Sequence, residues 1–197
     1  MGKTRFNVQR TALLALFTAI VAVLQMLGIA IRFGVFAVSL VGVPIIIGGA
    51  LMGPLAGAWL GLVFGITVLV SGDAALFLTW NPAATVAIVL LKGTLAGLAA
   101  GGVYRLLEKK NSFLAVLTAA VVCPLVNTGV FFLGCMLFFL EDCVQFAANL
   151  GITGSGPAVV MTTFIGFNFF FELGLDLVLS GIVDRLIHIG KKSLKRV

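Results

Sequence analysis

The sequence predicts an all-α integral membrane protein, a six-transmembrane-helix bundle with both termini in the cytoplasm. Of the 197 residues, 61% are hydrophobic and only 10% are charged, whereas soluble domains carry about 25% charged residues. Long apolar runs recur along the chain, without the strict alternation of apolar and polar residues that marks the strands of membrane barrels. Polar segments separate six such runs, so we expect one membrane domain over residues 1–197.

The first half of the chain contains three of the predicted spans. A short basic segment precedes the first span, and Arg32 ends it. The second span contains Pro44, which membrane helices tolerate, and a tight turn at residues 52–54 leads into the third. These spans are predicted at Thr11–Ile31, Phe33–Leu51 and Leu55–Val70.

The second half contains the other three spans, which are separated by distinct polar segments. A loop with an acidic residue and a tryptophan, Ser71–Pro82, precedes the fourth span, and the basic loop Arg105–Ser112 precedes the fifth. Phe138–Gly156, which has a glycine-rich end, precedes the sixth span, and a basic tail follows it. The spans are predicted at Ala83–Tyr104, Phe113–Leu137 and Pro157–His188.

Basic residues predict the orientation of the bundle. With the N-terminus inside, all of the 13 lysines and arginines except Arg32 and Lys92 fall at the cytoplasmic ends of the spans. Such a bias is the usual signature of cytoplasmic loops. An even number of spans then places both termini in the cytoplasm, and the acids Asp73, Glu141 and Asp142 fall outside.

Glycines spaced four residues apart predict close helix packing. Such stripes let two helix backbones approach each other within a membrane. We interpret them as packing surfaces. They lie on the third span at Gly57, Gly61 and Gly65, and on the fourth at Gly93, Gly97 and Gly101.

Polar side chains within three spans predict a ligand-binding pocket. Lys92, Asn127 and Asn168 each lie roughly 14–16 Å from the predicted outer end of their span, at about 1.5 Å per residue. Glu172 lies one turn deeper than Asn168 and shares its helix face. Ionisable groups inside a membrane are costly and usually face a partner, a cavity or a ligand. We therefore expect a pocket open to the outside, although a structural Lys92–Glu172 ion pair would explain the same residues.

Trp80 and Asn81 lie in the loop above this level. A tryptophan here is typical of the membrane interface, but both residues are also candidates for a lid over a bound ligand. We therefore include them among the predicted substrate-binding residues.

Signatures of other function classes are missing from the sequence. His188 is the single histidine and lies near the cytoplasmic end, and Ser155 has no partner base nearby in the sequence. The three cysteines lack metal-ligand spacing and are expected to be buried thiols. The basic residues lie at helix ends, where orientation explains them better than nucleic acid does. We predict neither an enzyme nor a metal or other cofactor.

Two motifs carry a resemblance to a known family that extends over essentially the whole chain. Ala15 and Ala19 form an AxxxA motif in the first span, and residues 43–57, VPIIIGGALMGPLAG, form the turn between the second and third spans. With six spans and an outward pocket, the chain resembles the substrate-binding S component of energy-coupling-factor (ECF) vitamin transporters, in the riboflavin, pantothenate and folate branches.

The resemblance implies a mechanism. An S component captures a vitamin from outside, associates with a transmembrane coupling subunit and two cytoplasmic ATPases, and topples in the bilayer of a prokaryotic plasma membrane to release the ligand inside. The AxxxA motif, Ala15 and Ala19, would dock on the coupling subunit.

The ligand stays open at this stage. Lys92 favours an anionic or carbonyl-bearing molecule such as pantothenate or folate, while the asparagines and aromatic residues also suit riboflavin or a nucleoside-like ligand. The alternative function, a stand-alone small-molecule transporter or channel, would need a second gate and usually internal repeats.

Overall fold

A computed structural model describes the backbone of residues 2–28, 32–33, 36–37 and 40–195, and the side chains of residues 8–28, 40–166 and 168–194. Within these residues the chain is helical apart from turns and one small hairpin, in which β1 (Arg32–Phe33) pairs antiparallel with β2 (Phe36–Ala37). The helices are α1 (Gly2–Gly28), α2 (Gly42–Met52), α3 (Pro54–Val70), α4 (Ala75–Trp80), α5 (Pro82–Leu107), α6 (Ser112–Phe138), α7 (Leu140–Asn149), α8 (Gly156–Val160) and α9 (Gly166–Lys195).

Several helices have the length and composition of membrane spans. Three described helical stretches qualify on their own, Val8–Gly28, Pro82–Leu107 and Ser112–Phe138, and the bent pair formed by Gly156–Ile165 and Asn168–Leu194 counts as a fourth if it is one span. The apolar helices α2 and α3 are shorter. The prediction of an all-α membrane protein is therefore confirmed, whereas six full spans and the orientation of the termini stay predictions.

The second predicted span, Phe33–Leu51, differs most from the structure. Its first residues fall in the hairpin or outside the described residues, and the helix begins only at Gly42. The 11 residues of α2 extend about 16 Å, roughly half of the hydrocarbon thickness of a bilayer. Apolar composition alone does not distinguish a full span from a short helix preceded by a hairpin.

Two predicted loops contain helices. α4 lies within the predicted loop Ser71–Pro82, and α7 lies within Phe138–Gly156. The predicted sixth span is also interrupted, because the π-helical segment Met161–Ile165 joins α8 to α9 and the two arms are bent by 50°.

The turn from α2 to α3 has the backbone that its sequence predicts. Gly53 has a φ of 102°, a conformation that residues with a Cβ rarely adopt. Pro54 follows as the first residue of α3, a position where the missing N–H of proline costs nothing.

The two glycine stripes that the sequence indicates as packing surfaces face each other, one on α3 and one on α5. A Cβ built on Gly61 would lie 1.9 Å from the carbonyl oxygen of Gly93, and one on Gly97 would lie 2.0 Å from that of Gly57. Because these neighbours are backbone atoms, only glycine fits without a shift of a helix. One side of α5 is thereby fixed against α3.

Candidate functional site

A cavity of about 130 Å³ lies between the helices beside this contact. Residues from α1, α3, α5, α6 and α9 line it, together with the α3–α4 turn and α4. Its wall includes the four polar side chains predicted for the pocket: Lys92 on α5, Asn127 on α6, and Asn168 and Glu172 on α9. The structure therefore brings these four residues together, and their roles toward a ligand stay a prediction.

Lys92 lies among aromatic rings rather than in an ion pair. Its Nζ is 4.8 Å from the centroid of the Phe131 ring and 5.9 Å from that of Phe64. Among the side chains that the structure describes, Lys92 forms no salt bridge with Glu172. The described side chains therefore do not form the structural Lys92–Glu172 ion pair that was the alternative interpretation.

Asn127 carries an acceptor without a partner. Its Oδ1 is buried and makes no hydrogen bond among the described residues. A buried polar atom that lacks a partner costs about 1–3 kcal/mol. Since Asn127 lines the cavity, a ligand donor at this point would remove that cost.

A smaller cavity of about 30 Å³ adjoins the first. The two share Phe64, Asn127 and Glu172, and the smaller one reaches Asp176 and the start of α2. A Cβ on Gly42 would lie 2.6 Å from one carboxylate oxygen of Asp176, so this carboxylate sits against the first turn of α2. Free backbone N–H groups at a helix start favour a negative charge, which gives Asp176 a structural role.

Aromatic rings form the wall around α4. Phe77 lines the cavity, and its ring packs edge-to-face on Trp80, Phe131, Phe139 and Phe164, with centroids 5.1–5.6 Å apart. Such pairs add about 0.5–1.5 kcal/mol each beyond their burial. Phe77 is thus held in place from several sides.

Trp80 and Asn81 do not line the cavity, and their role in covering a ligand stays a prediction. Trp80 packs behind Phe77, and its centroid also lies 6.1 Å from that of Phe146 on α7. Asn81 caps α5, because its side-chain oxygen accepts a hydrogen bond of 3.1 Å from the backbone N–H of Ala84. In a sequence, an asparagine that precedes Pro82 at a helix start has this cap signature.

The π-helical segment positions three cavity residues. Phe164 and Ile165 come from this segment, and Asn168 lies in the first turn of α9. A π-helical insertion rotates the side chains on either side of it, and such bulges are frequent at functional sites. Apolar composition gives no sign of the insertion, so the sequence predicted a continuous helix here.

Sequence reasoning missed several polar lining residues. Gln25 lies near the end of α1, and its Nε2 donates a 3.2 Å hydrogen bond to Asp73 Oδ2 at the α3–α4 turn. Thr85 and Thr128 also line the cavity, and Thr85 Oγ1 donates to the backbone carbonyl of Phe77 at 2.8 Å. In the sequence, a glutamine within an apolar run (Gln25) and an acidic residue beside a span (Asp73) could have indicated these lining residues.

The other predicted site, Ala15 and Ala19, lies on α1 away from the cavity. Both alanines are exposed, and larger apolar side chains on the same side of α1 are also exposed, among them Leu16 at 57% and Val23 at 55%. Val21 and Gln25 are buried. α1 therefore presents an open apolar surface with small residues near its middle.

The described residues hold few groups for other chemistry. No set of three His, Cys, Asp or Glu residues among them is grouped to hold a metal ion. Cys123, Cys135 and Cys143 are buried free thiols. The charged and amide groups of the cavity are therefore the features that a ligand could use.

Comparison with known proteins identifies a family that matches most of the chain. The family model described as ECF transporter, substrate-specific component matches residues 9–183. No curated protein matches the chain.

Proposed function

The chain belongs to the family of ECF transporter substrate-specific components, and from this premise we propose that it captures a vitamin or a related small molecule outside the cell. Members of the family are transport proteins, so the chain is a membrane transport protein and not an enzyme. The proposed ligand site is the cavity between α1, α3, α4, α5, α6 and α9.

The observation that carries this proposal is the convergence of four polar side chains on one cavity. Lys92, Asn127, Asn168 and Glu172 come from three helices and line the same wall. Ligand pockets are typically apolar with a few convergent polar groups, and phenylalanine rings supply the apolar part here. A protein that only needed to pack would fill this space with apolar side chains.

We further propose six membrane crossings, with both termini in the cytoplasm and the cavity open to the outside. Arg10, Arg105 and Lys191 line one shared depression beside the α2–α3 turn, which places basic residues of three helices at one end of the bundle. Gly28 and Asp73 line the cavity. They lie at the other ends of α1 and α3, the ends farther from this basic depression. Cytoplasmic segments are the ones enriched in lysine and arginine.

The proposed partners are a transmembrane coupling subunit and two cytoplasmic ATPases of a prokaryotic plasma membrane. The exposed small residues Ala15 and Ala19 on α1 support a docking surface, because small side chains let a second helix approach closely. The complex would then couple ATP hydrolysis to release of the ligand into the cell.

Native mass spectrometry of the purified protein tests the proposed function. We expect a small molecule to co-purify, to dissociate at raised collision energy, and to have a mass within the range of vitamins or nucleosides. A protein without any bound small molecule, when purified from cells grown in rich medium, would argue against a high-affinity site.

A further inference from the structure

Two groups of opposite charge face one cavity. Lys92 and Glu172 both line it, yet neither forms a salt bridge among the side chains that the structure describes. The nearby rings of Phe131 and Phe64 give the ammonium only a modest cation–π contact. A charge in a membrane interior costs more than such a contact supplies, so both groups gain from a ligand that reaches them.

Two acceptor-bearing residues lie where the two cavities meet. Glu172 and Asn127 both line the larger cavity and the smaller one that adjoins it, whereas Lys92 lines only the larger one. The unpartnered Oδ1 of Asn127 adds an acceptor beside the carboxylate. A ligand would therefore be bound best if it placed hydrogen-bond donors near Glu172 and Asn127 and acceptors near Lys92.

The other two carboxylates near these cavities have contacts of their own. Asp73 accepts a hydrogen bond from Gln25, and Asp176 sits against the first turn of α2 beside Gly42. Lys92 and Glu172 are then the ammonium and the carboxylate of the cavity for which the described residues show no hydrogen bond or salt bridge. An anion would satisfy the first and be repelled by the second, and a cation would do the reverse.

We propose that the ligand has no net charge and carries two unlike ends, with acceptors that meet Lys92 and donors that meet Glu172 and Asn127. The inference rests on the proposed function and specifies the chemical class of its substrate. The phenylalanine rings that line the cavity, among them Phe77, Phe131 and Phe169, favour a flat ring between these ends. A carboxylate ligand, which Lys92 alone suggests, is disfavoured by Glu172.

A panel of probes with defined charge tests this inference. The full-length protein in lipid nanodiscs is titrated by calorimetry with uncharged riboflavin and uridine, anionic pantothenate and folate, and cationic thiamine. We expect an uncharged probe to bind most tightly, by about 100-fold over the anions and the cation, which is the scale set by one uncompensated buried charge. A molecule that co-purifies with the protein is judged by the same criterion, its net charge.

Two substitutions shift the expected charge preference in opposite directions. Glu172→Gln removes the carboxylate and should raise affinity for pantothenate relative to riboflavin by about tenfold, whereas Lys92→Met should do the same for thiamine. The exposed residues Glu141 and Lys110 provide matched controls, since Glu141→Gln and Lys110→Met should keep the wild-type order of probes. The titration of the wild-type protein stands by itself if a cavity variant does not fold.

The outcomes separate this inference from the proposed function. Tightest binding of pantothenate, folate or thiamine by the wild-type protein would overturn the inference and leave the proposed function intact. An unchanged order of probes in both cavity variants would also overturn the inference. Binding of none of the five probes, together with no co-purified molecule, would overturn the proposed function and the inference with it.

Discussion

α5 has two sides with opposite character. Toward α3 it presents Gly93 and Gly97, whose backbones lie so close to those of Gly61 and Gly57 that no side-chain atom fits between them. Toward α6 and α9 it presents Lys92, a long charged side chain at the wall of a cavity. Lys92 and Gly93 are neighbours in the sequence, yet Lys92 lines the larger cavity and Gly93 contacts the backbone of Gly61.

The difference indicates how a small membrane protein keeps a cavity open. Packing in a membrane depends on close backbone contact, since lipid supplies little hydrophobic driving force between helices. Contact along the glycine stripes holds α5 against α3. The residues around Lys92 are then free to leave space for a ligand and to keep polar atoms such as Asn127 Oδ1 unpartnered.

The largest expected effect comes from the cavity side of α5. Lys92→Met keeps much of the side-chain volume and removes the ammonium. We expect binding of the co-purified molecule to weaken by about 2–5 kcal/mol, the cost of truncating one partner of a buried charged contact, with little loss of folded protein. Calorimetry measures this difference, and Lys110→Met is the control. Unchanged affinity would remove Lys92 from the site and give it a structural role.

The packing side of α5 should respond in stability rather than in binding. Gly61→Ala would place a Cβ 1.9 Å from a backbone oxygen of Gly93. We expect the free energy of unfolding to fall by about 3 kcal/mol, the upper part of the usual range for overpacking. Gly102→Ala on α5 is a matched control, because its Cβ would meet no atom within 4 Å and alanine is favoured over glycine in a helix by roughly 0.5–1 kcal/mol. Equal unfolding temperatures for the two variants would contradict the glycine contact.

A third surface sharpens the comparison, because α1 has small residues that no described helix covers. Ala15→Leu and Ala19→Leu should prevent assembly with the coupling subunit and leave ligand binding unchanged. Gly181→Leu places a leucine at an exposed position on α9 and should not affect assembly. Co-purification with the coupling subunit is the measurement. Full assembly of both alanine variants would show that α1 is not the docking surface.

The smallest structural change, a single cysteine in a loop, tests at which end of the bundle the cavity opens. In a background without Cys123, Cys135 and Cys143, single cysteines at Ser71 and Gly154 should react with an impermeant thiol reagent added to intact cells. A cysteine at Lys109 should react only after the membrane is permeabilised. Labelling of the Lys109 site in intact cells would reverse the proposed orientation.

The two sides of α5 also differ in how far the sequence predicted them. Glycines four residues apart predict a backbone contact directly, and Lys92, Asn127 and Asn168, which share a predicted depth, line one cavity. Depth counting is possible because the rise per residue of a helix is constant.

Features that depend on tertiary contacts were not predictable in this way. The short α2, the helix α4 within a predicted loop and the π-helical segment are mainly apolar, so composition does not separate them from ordinary spans and loops. Gln25 and Asp73 meet only because α1 ends beside the α3–α4 turn. The cap that Asn81 forms on α5 is, in contrast, predictable from its place directly before Pro82.

Filling the cavity tests the central claim, that the space beside Lys92 is the ligand site, most directly. Thr128 on α6 lines this space, whereas Leu125, one turn earlier on the same helix, is 54% exposed. Native mass spectra of Thr128→Phe and Leu125→Phe therefore compare equal ring volumes inside and outside the cavity. We expect the co-purified molecule to be lost from folded Thr128→Phe and retained by Leu125→Phe. Retention by folded Thr128→Phe at wild-type occupancy would contradict the account.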